Sequence, residues 1–141
     1  MRFLIPILAL VLAACSSDEA PAPEASFASP AGTYAGNGRD SLCVNGAAGG
    51  QRAGFVTYGS GDENCSVSGS LAQEGATWTL TPQGDADCRI TLGFTDGTMS
   101  LGPVTPSCSY YCAPGASFAG KSFTDSRSAK PATDFGGDPL C

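Results

Sequence analysis

From Gly32 onward, apolar and polar positions alternate with period two. "CSVSGSL" places Cys65, Val67, Gly69 and Leu71 on one face and Ser66, Ser68 and Ser70 on the other. "ATWTLT" turns Ala76, Trp78 and Leu80 inward against three threonines, and "CRITLGF" does the same with Cys88, Ile90, Leu92 and Phe94. "TMSL" adds Met99 and Leu101. Strict alternation of this kind is the mark of half-buried antiparallel strands. Asp96-Gly97 is a two-residue hairpin signal, because a type I′ turn needs positive φ at both central positions. It sets Phe94 opposite Met99 and Leu92 opposite Leu101, which keeps the apolar pairs on one face. "AQEG" joins Leu71 to Ala76 and puts Trp78 opposite Gly69. Weaker strands are read at "TYAG", "SLCV" and "GFVTY", and a last one at "SFAGKSF". The pattern predicts an all-β fold, a small antiparallel up-and-down meander of about eight short strands closing into a barrel or sandwich. "GTYAG" and "SFAGK" form the closing pair, and "PSCSYYC" makes one helical turn.

The first residues obey a different rule. Arg2 precedes an apolar run, Phe3 to Leu12, that is too short to span a bilayer as a mature helix. It reads as a cleaved signal. Leu12-Ala13-Ala14-Cys15 resembles the lipobox of bacterial lipoproteins, a match that covers residues 1–16. The resemblance implies cleavage before Cys15, a diacylglycerol on its sulfur and an acyl chain, palmitate in type, on its new amino group. Ser16 stands where Asp would imply retention in the inner membrane, so the resemblance implies the outer membrane. Several acyl chains anchor firmly, since each buried methylene adds about 0.8 kcal/mol. The chain then divides into a signal peptide (1–14), a lipidated Pro/Ala/Ser-rich tether (15–31), a barrel-like domain (32–125) and a C-terminal tail (126–141). The tether has almost nothing to bury, and at about 3.1 Å per residue it reaches roughly 45 Å.

Beyond Cys15 there are six cysteines: Cys43, Cys65, Cys88, Cys108, Cys112 and Cys141. An even number in an exported domain reads as three disulfides. The Asp96-Gly97 register brings Cys88 near Cys108 and favours that bridge. Cys141 pins the tail, with Cys112 as its expected partner, which leaves Cys43 with Cys65. "GDENCSV" and "GDADCRI" echo each other, each an acidic turn leading into a strand with an inward cysteine.

Composition excludes several chemistries. The formal net charge is −6, which gives no electrostatic reason to seek nucleic acid. The chain has no histidine, so Ser-His-Asp and Cys-His catalysis are absent in their usual forms. The C-x₃-C pair of Cys108 and Cys112 lacks the setting of a zinc or thioredoxin-like site. Asp62 with Glu63, and Asp85 with Asp87, sit in turns where exposed acids are ordinary. No metal site and no cofactor is expected.

One motif resists. Gly115, Gly120, Lys121 and Ser122 fill the fixed places of the phosphate-loop pattern G-x-x-x-x-G-K-[ST]. That loop needs a helix after it, and the stretch beyond Ser122 contains Pro131, late glycines and no amphipathic period. The expectation is a β-strand with Lys121 facing water, leaving those four residues as a minor anion-binding candidate. Exposed Tyr58, Tyr110 and Tyr111 are candidate contact residues. The functional expectation is a non-enzymatic, membrane-anchored envelope lipoprotein on the periplasmic face of the outer membrane. Its partners are the membrane, through Cys15, and an envelope protein or small ligand. The alternatives are a structural lipoprotein without a ligand, an inhibitor-type barrel similar in size and β-pattern to envelope inhibitors of lysozyme or proteases, and, least, an enzyme or nucleotide binder.

Overall fold

A computed structural model describes residues 29–127 and 129–141. The expected signal, Cys15 and most of the tether lie outside the described residues. The strands are β1 (Gly32–Ala35), β2 (Ser41–Asn45), β3 (Arg52–Tyr58), β4 (Asn64–Glu74), β5 (Thr77–Pro82), β6 (Ile90–Thr95), β7 (Thr98–Val104) and β8 (Ser122–Asp125). Each pairs antiparallel with the next, and β8 returns to β1 through Tyr34↔Asp125 and Ala35↔Thr124, so the sheet is a closed barrel rather than a sandwich. Closure leaves no free sheet edge.

Alternation builds the interior. Leu42, Phe55, Val67, Leu80, Ile90 and Met99 are all fully buried, one or more from nearly every strand. An eight-stranded barrel is just wide enough for side chains to fill it. Here Phe55 meets Phe118 edge to face at 5.3 Å and Phe123 at 6.4 Å. Each such fully buried side chain contributes about 1.5–3 kcal/mol. The interior is therefore a packed core, and ligand space has to be sought outside it.

The hairpin registers divide by turn chemistry. Asp96 (φ 49°) and Gly97 (φ 75°) make the expected turn, with Phe94↔Met99 and Leu92↔Leu101 paired. The β4–β5 register differs from expectation. β4 runs on to Glu74, so Trp78 lies opposite Gln73 and Gly69 opposite Pro82. Gly75, at φ 60°, makes a tighter turn than a four-residue "AQEG" loop. The slip is even, so Trp78 still faces inward. A Cβ on Gly69 would strike the backbone at Thr81 and Pro82, which is why that position is glycine.

The meander sorts the loops into two ends. One end carries the β1–β2, β3–β4 and β5–β6 turns and the long β7–β8 connection. The other carries the β2–β3 loop, the β4–β5 and β6–β7 turns and the entry to β1. The two echoing segments are alternate turns at the first end, which accounts for their likeness. The β7–β8 connection includes a 3-10 turn over Pro106–Tyr111 and crosses the first end as a lid. It is held to the β5–β6 loop by Cys88–Cys108 and to β4 by Cys65–Cys112. Phe118 plugs the mouth beneath it and is buried in the core.

Only one of the three expected pairings is present. Cys88–Cys108 forms as its register predicts, but Cys141 bonds Cys43 and not Cys112. Cys43–Cys65 is ruled out by geometry: Cys65 faces the core on β4, and Cys43 shares the outer face of β2 with the tail. The tail runs over β2 and β3, where a Cβ on Gly54 would collide with Leu140. Ala132 is fully buried there, and the Leu140 amide donates to its carbonyl at 2.9 Å.

Tyr34 closes the core near the second end, its hydroxyl donating to the Pro30 carbonyl. Burial, with the Asp125 charge in second place, raises its pKa from 10.0 to about 12. In the unfolded chain the phenol ionises near pH 10, whereas the folded protein keeps its proton until about 12. The native state thus holds more protons in that window, and stability is expected to fall as pH rises through it. Tyrosinate absorbance read alongside denaturant midpoints checks this. A flat stability profile above pH 10 would contradict the burial of Tyr34.

Candidate functional site

The phosphate-loop residues all lie at the lidded end. Gly115 (φ 87°) and Gly120 (φ 68°) take left-handed turn conformations. The strand expected over "SFAGKSF" begins only at Ser122, opposite Ser100, and closes the barrel through Thr124 and Asp125 instead of "SFAGK"; a strand still stands where a phosphate loop requires a helix. A Cβ on Gly115 would meet the Glu63 carboxylate, and an acid therefore already faces this loop.

Lys121 does not face water as expected. Its Nζ donates to Asp40 Oδ2 at 2.9 Å and to the Tyr58 carbonyl at 3.1 Å. Asp40 Oδ1 accepts the Tyr58 amide at 2.7 Å, and the Asp40 side chain is only 3% exposed. The lysine thus supplies the charge that lets a carboxylate sit inside the protein, and it ties the lid to β3. Arg39 extends the cluster. Its guanidinium stacks 3.9 Å from the Tyr58 ring centroid and pairs with Asp62 at 2.9 Å. With both cations paired to carboxylates, the surroundings repel an added anion.

The turn acids have local partners as well. Asp85 accepts the amides of Asp87 and Cys88 through Oδ1 and the Tyr111 hydroxyl through Oδ2. Desolvation and then the Asp85 contact raise the Tyr111 pKa. Among the described residues no group of three or more Cys, Asp or Glu side chains is placed to hold a metal. Of the three contact tyrosines, only Tyr110 is widely exposed, at 85%. Tyr58 and Tyr111 are half-buried.

The other end is built differently. A cleft of about 740 Å³ opens where the β2–β3 loop folds against β4 and β5. Gly46 (φ 94°) and Gly49 (φ 86°) turn this loop, and the Gln51 carbonyl accepts the Leu71 amide at 2.9 Å, which fixes the loop to β4. Leu71 and Trp78, the last inward residues at this rim, form the floor. Gln51, Arg52, Ser70 and Gln73 supply polar groups around it. Arg52 is exposed and has no ion pair or side-chain hydrogen bond among the described residues. The Trp78 indole has no hydrogen-bond partner among them either, yet no buried side-chain nitrogen or oxygen goes unpaired. Its N–H therefore reaches solvent, and the cleft is the opening that Trp78 lines. This site is not among the sequence candidates. Its one local signal is "NGAAGGQR", a glycine-rich loop that ends in an amide and a cation.

Comparison with protein-family models, curated proteins and solved structures finds no match to this chain.

Proposed function

We propose that the chain is a lipid-anchored binding module of a bacterial envelope, held at the membrane through Cys15, that takes its ligand or partner at the open rim rather than inside the barrel. The observation that carries the reading is the contrast between the two ends. One end is lidded and twice stapled, and its Arg39 and Lys121 are each paired to a carboxylate. The other offers a cleft with an unpaired cation and an indole donor. Three disulfides fit an oxidising compartment outside the cytoplasm. The lipobox-like Leu12–Cys15 supplies the anchor. β1 begins at the cleft end, so the tether leaves the domain on the side of the site.

The anchor is tested by detergent-phase partitioning of the full chain. The wild type is expected in the detergent phase and Cys15→Ser in the aqueous phase. A wild type that stays aqueous would sink the anchored reading. A pull-down from envelope extract, wild type against Arg52→Gln, tests the binding role. A partner lost with Arg52 supports the rim as the site.

A further inference from the structure

The rim cleft has a charge character opposite to that of the protein. The chain carries a net charge of −6, yet no carboxylate lines this cleft. The lining charge is Arg52 alone, and it is unspent. The remaining accessible polar groups are the Gln73 amide and the Ser70 hydroxyl, while the Gln51 side chain is buried and its Nε2 donates to Ser29 Oγ at 3.5 Å. Gln73 Nε2 is committed to the Gly75 carbonyl at 2.9 Å, which fixes the side chain and leaves its carbonyl oxygen to accept. Amides and hydroxyls both donate and accept, as a ligand rich in hydroxyl groups requires. Leu71 and Trp78 reach the cleft only by an edge, each 6% exposed, and give it an apolar floor with the indole N–H as a further donor. A guanidinium is the side chain best shaped for a carboxylate, which it grips through two parallel hydrogen bonds. The volume lies within the ~300–1,000 Å³ typical of small-ligand sites. The site holds no pair of titratable groups for acid–base work on the ligand, which fits retention and not turnover.

We propose that this cleft binds a short acidic saccharide, with a sugar carboxylate on Arg52, ring hydroxyls on Gln73 and Ser70, and an apolar ring edge on the floor made by Trp78 and Leu71. The inference rests on the binding-module reading and narrows it to one ligand class. The net negative charge disfavours such a ligand over most of the surface, and Arg52 offsets it at the cleft.

Calorimetric titration of the full chain in non-ionic detergent tests this, with tri-galacturonate as the acidic probe and maltotriose as the neutral one. Tri-galacturonate is expected to bind at least tenfold more tightly than maltotriose. Arg52→Gln is expected to remove about tenfold or more of that affinity. Its thermal midpoint should not move, because Arg52 is exposed and unpaired. Arg89→Gln removes an exposed cation at the lidded end and should leave binding unchanged. Equal binding of the two sugars, no binding of either, or equal losses in the two variants would overturn the inference. A partner recovered by pull-down in an Arg52-dependent way, with no sugar bound, would overturn the saccharide and leave the binding module standing.

Discussion

Replacing Lys121 with methionine is expected to destabilise the domain by about 2–4 kcal/mol, although Lys121 belongs to a phosphate-loop pattern. The substitution keeps the apolar stem and removes the charge that Asp40 needs. The Asp40 side chain is 3% exposed, so its carboxylate would be left buried with only the Tyr58 amide as a donor. Leaving a buried charge unpaired costs more than a surface ion pair contributes. The figure lies below that for a fully buried pair because the Lys121 side chain is 27% exposed. For a domain of this size the thermal midpoint should fall on the order of 10 °C. The double variant Asp40→Asn/Lys121→Met should recover much of the loss, since the Asn oxygen still accepts the Tyr58 amide and no charge is stranded. An unshifted midpoint in Lys121→Met, together with Mg-ATP stabilisation of the wild type alone, would return the lysine to a nucleotide role.

Removing the Cys65–Cys112 bridge is expected to have the larger effect. Its partners are 47 residues apart in the chain, and a closed loop of that length corresponds to about 4 kcal/mol of unfolded-state entropy. Cys65→Ala/Cys112→Ala avoids burying hydroxyls where Cys65 is fully buried. The bridge also fastens the lid to β4, next to the Ala113 amide that donates to the Asn64 carbonyl at 2.9 Å. The lid should therefore gain amide hydrogen exchange before the strands do. Exchange confined to the strands, or a denaturant midpoint equal to that of the wild type, would contradict a stapled lid.

The meander is legible because each strand writes its own period, and Asp96-Gly97 writes its turn and register together. That same hairpin brings Cys88 toward Cys108, the one bridge whose partners flank it. The other two bridges depend on where a lid and a tail cross the finished barrel. No local pattern encodes that path. Cys43 pairs across 98 residues, and Lys121 finds Asp40 across 81. The β4–β5 register escapes the sequence pattern because β4 continues through Ala72, Gln73 and Glu74, three exposed residues that read as a loop. The cleft escapes it for a related reason. Arg52, Gln73 and Trp78 come from three strands, and only the corrected register puts Gln73 beside Trp78.

If the proposed rim site is right, the phosphate-loop residues are structural and ligand contacts fall at the rim. Backbone amide shifts of the isotope-labelled full chain, followed during titration with tri-galacturonate and separately with Mg-ATP, test it most directly. Shifts are expected to cluster at residues 48–52, 70–73 and 78 with the saccharide, and none at 115–122 with either ligand. Shifts at Gly115, Gly120, Lys121 and Ser122 on adding Mg-ATP, with a silent rim, would contradict it.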